Sequence, residues 1–390
     1  MSIHNQSEDD IKQRNNVMST GLSGSQADEW LEKYSVKQAK LINPSGQFNP
    51  ELINEYLFFY KKICMYDPRV LAFQVSGKVS NNVLVLDGMV SLEQQLLALI
   101  KVFEKISGLK VESNIIVLPD SRLGTDRYGI VSNMVAPLFS GPDDREEKLT
   151  EALLGDPLII LFMSSEKDYC FVQHISGYIG WAKIEDFIPC DLENFRQWRQ
   201  GLRALFLKSV RNSDNKVIIP LGSELPIHDT DKVKLPNGEF LKVDLSLCKV
   251  FSKKTPDKAV KMIKNALELC GVPYHWGGVS PSGIDCSGFV NIMYRTLGVM
   301  IPRDCDQQFI GGELVGWKGY MEDMLPGDLL YFAGANGRIT HTGIYAGNQR
   351  FLHAHEPFLS FSSFDPTSPE YDEKNAKRWV YAKRVFQVTE

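Results

Sequence analysis

The stretch PYHWGGVSPSGIDCSGFVNIMYRTLG, residues 273–298, is a Gly- and Pro-rich loop that runs directly into apolar residues at helical spacing. Phe289, Ile292, Met293, Thr296 and Leu297 recur on one face, and Gly298 can end a helix in the left-handed conformation. The spacing predicts a helix that starts at Cys286, with Asp285 of the right type and position for an N-cap. In the first turn, free backbone N–H groups and the helix dipole favour thiolate over thiol, so Cys286 has the position of a nucleophile. A buried small apolar residue is the commoner use of a lone cysteine.

Two downstream histidines tip that balance. His341 lies in RITHTGIYAG and His353 in QRFLHAHEP, both strand-like runs. A thiol needs a base to accept its proton and return it to the leaving amine, and the base needs a third group to hold its ring. One cysteine and two histidines supply those parts. A Cys/His zinc site is the competing constellation; His353 and His355 share a strand face, but the short paired spacings of zinc ligands are missing.

Outward from this segment, the composition changes near residue 254, where TPDKAVKMIKNALELCG has Thr255 as a possible N-cap, helical spacing and a closing Gly. Residues 119–198 and 199–254 hold short β-type runs separated by polar turns, the pattern of two consecutive small β barrels. Residues 27–118 read as helices followed by strand, strand, helix and strand, an α+β module, and residues 1–26 as a loose polar tail. The expected fold class is α+β and multidomain, with a C-terminal unit at 255–390. A chain of 390 residues has length for two to four such domains.

The charge balance, 43 basic against 48 acidic residues, gives a net charge of −5 and excludes a global basic field for nucleic acid. Seven cysteines (Cys64, Cys170, Cys190, Cys248, Cys270, Cys286, Cys305) without a CxxC pair argue against a disulfide framework. No apolar run is long enough for a membrane span, and the polar start MSIHNQSEDDIKQRNNVMST lacks the basic end and apolar stretch of an export signal. The expectation is a cytoplasmic monomer, or a secreted protein if the chain is truncated or exported by another route.

Five ordered motifs, YHWGG…DCSGF, IPRD, LPGDLLYF, THTGIYAG and FLHAHEP, resemble the catalytic domain of NlpC/p60-type cysteine peptidases. These are papain-like enzymes that cut bacterial cell-wall peptides. The resemblance covers about the last third of the chain. It implies that Cys286 is the nucleophile, His341 the general base, His353 the residue that orients it, and Tyr274 a helper on the oxyanion side. It implies no metal and no organic cofactor. Trp276, Gly277 and Gly278 read as a turn, as do Pro326, Gly327 and Asp328.

The segments EEKLTEALLGDPL and SGYIGWAKI resemble the first bacterial SH3-like domain of those members that cleave between γ-D-glutamate and a diamino acid, the dipeptidyl-peptidase VI type. By that resemblance the two barrels are SH3-like, and Glu147 and Tyr178 read a free N-terminal L-alanine. An ammonium–carboxylate contact is charge-assisted, so acylated or glycan-linked stems would be rejected. Glu147 also sits in a charged run of the kind common on solvated surfaces, and Tyr178 could be barrel packing. Asp285, Ser287 and Arg303 match substrate-contacting positions, with Arg303 suited to a carboxylate. The position commonly Ser is Cys305, a weaker hydrogen-bond donor.

The implied activity is hydrolysis of the γ-D-glutamyl–diamino acid bond in released peptidoglycan peptides such as L-Ala-γ-D-Glu-diaminopimelate, with Lys as the other possible diamino acid. An amidase or acyltransferase on the same fold remains open, as does a non-catalytic wall-binding protein.

Overall fold

The computed structural model describes residues 24–43, 45–64, 67–166, 168–252 and 259–385. Residues 1–23 of the expected tail, the 254 boundary and Thr255 lie outside the described residues; residues 24–26 already belong to the helix Gly24–Ile42. The chain divides into two compact units, Met1–Ser121 and Arg122–Glu390.

In the first unit the strands Phe73–Ser80 and Val83–Val90 form an antiparallel hairpin, and Lys110–Val117 joins in parallel. Asn81 and Asn82 both take positive φ in the hairpin turn, a conformation asparagine tolerates better than most residues. The parallel crossover is the helix Glu93–Ser107, which ends at Gly108 in the left-handed region. It packs Leu99 and Phe103 with Tyr56, Leu57 and Tyr60 of the helix Ile53–Cys64.

The second unit begins with a seven-stranded antiparallel sheet. Its strand order is Phe187–Cys190, Tyr128–Val131, Pro157–Met163, Tyr169–His174, Ile179–Lys183, Val135–Phe139, Lys148–Leu153. A five-stranded sheet follows, ordered Phe240–Lys242, Lys232–Lys234, Glu224–Asp229, Arg203–Phe206, Cys248–Phe251. Both sheets lie where barrels were expected, but among the described residues no strand pair closes either one on itself. Alternating apolar residues dictate antiparallel neighbours. Closure depends on whether the two end strands meet, which local alternation does not encode.

The C-terminal part carries a six-stranded antiparallel sheet, ordered Glu313–Trp317, Trp379–Arg384, Leu329–Ala333, Ile339–Gly347, Arg350–Ala354, Leu359–Ser363. The helix Cys286–Thr296 packs on it, burying Phe289, Val290, Met293 and Tyr294 against Leu329, Tyr331, Ile344 and Leu352. Leu153 of the seven-stranded sheet and Leu221, from the turn before the strand Glu224–Asp229, enter the same core. A buried ionic cluster ties the helix to the seven-stranded sheet: Arg295 pairs with Asp156, which also meets His174 Nε2 at 3.0 Å. Burial works to raise the Asp156 carboxyl, yet Arg295 and His174 hold it well below the usual carboxylate range. Among the described residues no helix is long and apolar enough to cross a membrane.

Candidate active site

Asp285 caps the helix Cys286–Thr296 by accepting from the Gly288 N–H at 2.6 Å, and its other oxygen accepts from the Gly277 N–H at 2.9 Å. The helix start is pressed against the loop so closely that a Cβ on Gly288 would meet the Gly278 carbonyl oxygen at 2.1 Å. This leaves Cys286 only 8% exposed, with its thiol against the strand Ile339–Gly347, where the Thr342 backbone N–H acts on it. His341 is the residue just before Thr342 on that strand.

His341 Nε2 lies 2.7 Å from His353 Nδ1 on the neighbouring strand Arg350–Ala354. His353 is fully buried, and its Nε2 meets Ser362 Oγ at 2.9 Å. Both His353 nitrogens are thus engaged inside the protein. His355 stacks on His353 with ring centroids 4.3 Å apart, and its own nitrogens meet Ser360 Oγ and the Glu356 carbonyl. Among the described residues no group of three His, Cys, Asp or Glu side chains is arranged to hold a metal ion.

Burial pushes the Cys286 thiol up, reinforced by Asp285 and Cys305 and opposed by the Thr342 N–H and Arg303. Burial also pushes His341 down to about 3, with Arg378 and His355 adding to it and Asp372 opposing. Both shifts favour the uncharged forms, thiol and neutral imidazole. The helix-end argument alone predicts a thiolate; desolvation of a nearly enclosed sulfur with a carboxylate one residue away outweighs it.

Tyr274 is half-buried at the mouth of the site. Its backbone bridges to Ile284, two residues before Cys286, and burial, then the charges of Cys286 and Asp285, push its phenol up. A cleft of about 750 Å³ opens there, lined by Tyr274, His341, His355, Glu356, Asp372 and Arg378 among others.

The residues expected to touch substrate divide into two groups. Arg303 is 4% exposed and donates to both oxygens of Asp285, to Ser287 Oγ at 2.8 Å and to Thr150 Oγ1 at 2.7 Å. Its bidentate partner is Asp285, where a substrate carboxylate was expected. Asp285 and Ser287 are correspondingly buried in this network. Cys305 opens the short helix Cys305–Gln308, with Sγ 3.8 Å from the Ile339 carbonyl oxygen, and burial pushes its thiol up to about 12. Tyr178 is buried and donates its hydroxyl to Asp304 Oδ2 at 3.1 Å.

Glu147 is exposed, at the entrance to the strand Lys148–Leu153, and accepts from the Trp276 indole N–H at 2.9 Å. Trp276, read from sequence as a turn residue, is 63% exposed and holds that carboxylate at the rim of the loop. One further bond from the same strand secures the loop: Glu151, itself paired with Lys148 at 2.8 Å, accepts from the Val279 N–H at 2.9 Å.

Sequence reading passed over Ser362 and Asp372. Asp372 caps the helix Glu373–Arg378, and its Oδ2 lies 3.7 Å from His353 Nε2. An Asp before a polar helical run is a cap signature that could have drawn attention to it.

A sequence profile described as the NlpC/P60 family matches residues 271–378. A γ-D-glutamyl-L-lysine dipeptidyl-peptidase of Bacillus subtilis strain 168 is 36% identical over 270 residues, covering 65% of this chain and 82% of that one. Dipeptidyl-peptidase 6 of Lysinibacillus sphaericus is 29% identical over 245 residues, 58% of this chain and 86% of the relative. In fold, the crystal structure of an NlpC/P60 family protein from Bacillus cereus ATCC 10987 superposes with a TM-score of 0.55 at 21% identity, covering 66% of this chain and 99% of its own. Together with a thiol at a helix start above a histidine pair, these relationships establish that the chain belongs to the NlpC/P60 family of cysteine peptidases.

Proposed function

We propose that this peptidase hydrolyses the bond between γ-D-glutamate and a diamino acid in peptidoglycan-derived peptides that carry a free N-terminal L-alanine. The observation that carries the chemistry is the 2.7 Å contact between His341 and His353 on adjacent strands, directly under the helix that starts at Cys286. The relatives named γ-D-glutamyl-L-lysine dipeptidyl-peptidase and dipeptidyl-peptidase 6 support the substrate class.

In this reading the Cys286 thiol gives its proton to His341 as sulfur attacks the γ-glutamyl carbonyl carbon. Tyr274 lies on the side where the oxyanion develops, and His353 holds the imidazole. The carbon–nitrogen bond then breaks, and His341 returns the proton to the departing amine. Water, deprotonated by the same imidazole, cleaves the thioester and regenerates the thiol. Because the resting pair is neutral, proton transfer accompanies attack.

Glu147, held by Trp276, is the anionic partner for the substrate ammonium group, and the buried Tyr178 braces Asp304 behind the site. Arg303, Asp285 and Ser287 act from inside the protein by fixing the helix start. The two β sheets are read as SH3-like modules that wall the active site, and residues 1–118 as a docking or spacer module. The requirement for a free amine suits recycling of peptides inside the cell.

Comparing free and N-acetylated L-Ala-γ-D-Glu-L-Lys as substrates tests the specificity. Preference for the free peptide is expected, and equal cleavage of the two removes the ammonium reading.

A further inference from the structure

We propose that Ser362 and Asp372 extend the histidine pair into a relay, Ser362 fixing the His353 tautomer and Asp372 supporting the positive charge that His341 acquires during attack. The proposal rests on the reading of Cys286 as nucleophile and His341 as base.

The tautomers follow from the contacts. His341 Nε2 is engaged with His353, so Nδ1 is the nitrogen left to accept the thiol proton. A neutral His341 with a free lone pair at Nδ1 carries its hydrogen on Nε2 and donates to His353 Nδ1. His353 then carries hydrogen on Nε2, and the acceptor it meets is Ser362 Oγ at 2.9 Å. Each proton position determines the next, and Ser362 is the last acceptor in the line. Without it His353 could hold its hydrogen on Nδ1, opposite the His341 N–H, and the base would be presented in the wrong form.

Asp372 supplies the charge. Its Oδ2 is 3.7 Å from His353 Nε2, too long for a hydrogen bond but within ion-pair reach of a ring that shares a proton with His341. It is held there from two sides. Its N–H donates to the Ser363 carbonyl, next to Ser362, and its carboxylate accepts from the Asn375 backbone and side chain at 3.0 and 2.6 Å.

Glu356, Glu370 and Glu373 also line the cleft, but of the groups that act on His341 all except Asp372 work against a proton. Arg378 and Lys374, from the short helix that Asp372 caps, and His355, just past the end of the His353 strand, all disfavour imidazolium at His341. Arg378 is anchored by Ala333, Asn375 and Thr340 and cannot easily swing away. Cys286, facing from its helix, is the proton donor. Asp372 is the carboxylate that offsets this positive surround.

Asp372→Asn is the test, because asparagine keeps the N-cap acceptor and removes the charge. With the tripeptide as substrate, kcat is expected to fall about tenfold at nearly unchanged KM. The acid limb of kcat/KM should move to lower pH by about one unit, since a base that loses its anion becomes neutral at lower pH. Asp372→Glu should bring the limb back toward wild type. Ser362→Ala should lower kcat, and the double variant with Asp372→Asn should lose less than the product of the two single losses. If Asp372→Asn fails to fold, Asp372→Ser keeps a capping oxygen and serves in its place.

An acid limb that stays at its wild-type pH overturns the proposal, whatever the rate. So does a raised KM at unchanged kcat, which would make Asp372 a substrate contact. Cleavage that persists in Cys286→Ala would instead overturn the underlying reading of the nucleophile.

Discussion

Both arms of the Arg303 guanidinium close on the Asp285 carboxylate, Nη1 at 3.1 Å from Oδ1 and Nη2 at 2.6 Å from Oδ2, one residue before Cys286. The same carboxylate caps the Cys286 helix and holds the Gly277 loop. One buried ion pair therefore sets the angle at which the thiol enters the site.

Arg303→Met should destabilise the protein by about 3–5 kcal/mol, because it strands a buried carboxylate. Urea unfolding measures this. The double variant with Asp285→Asn should recover part of the loss, since Asn keeps a capping oxygen without the charge. A change below about 1 kcal/mol in the single variant would mean that the pair is hydrated and exchangeable.

Cys286 should alkylate slowly at neutral pH in the free enzyme. Burial raises its thiol, so iodoacetamide reactivity should climb only above the ordinary thiol range, beyond about pH 9. Rates followed by mass spectrometry across pH decide this, and a plateau at neutral pH would reveal a preformed thiolate–imidazolium pair.

The buried neutral His341 makes stability depend on pH. Its folded value of about 3 lies below the unfolded value of about 6.5, so below the latter the unfolded chain takes up a proton that the folded chain refuses. This contribution is complete above about pH 6.5 and is lost progressively as pH falls toward the folded value. His341→Gln removes it. The stability difference between wild type and variant in denaturant titrations should therefore shrink as pH drops from about 7 to about 4.5. A constant difference would contradict the assignment.

Glu147→Gln should erode discrimination for a free amine. A hydrogen bond to a charged group contributes about 1.5–3 kcal/mol, so the preference for free over N-acetylated tripeptide should fall roughly 10- to 100-fold. Glutamine can still accept from the Trp276 indole, which keeps the rim in place. An unchanged ratio would remove Glu147 from recognition.

The parts of the structure readable in sequence are those set by neighbours along the chain. Asp285 before Cys286 and Gly298 after Leu297 bracket a helix that runs Cys286–Thr296, with Gly298 at φ 83°. Sheet closure was not readable, because the pairing of end strands depends on distant segments. Arg303 matches a family position that contacts substrate, and its type suits a carboxylate. Its partners Thr150 and Asp285 lie 153 and 18 residues away, and nothing local announces either. Asp372 was hidden in the polar run SPEYDEKNAKR, which looks like solvated surface until the chain brings it beneath His353.

In the proposed reaction Cys286 forms a thioester with the γ-glutamyl carbonyl and releases the diamino acid. Incubation with L-Ala-γ-D-Glu-L-Lys, followed by mass spectrometry of peptide products and quenched protein, tests it directly. The wild type should yield L-Ala-D-Glu and free lysine with an L-Ala-D-Glu adduct on Cys286, and Cys286→Ala should yield neither. Undiminished cleavage by Cys286→Ala, or an intact peptide after incubation with the wild type, would contradict it.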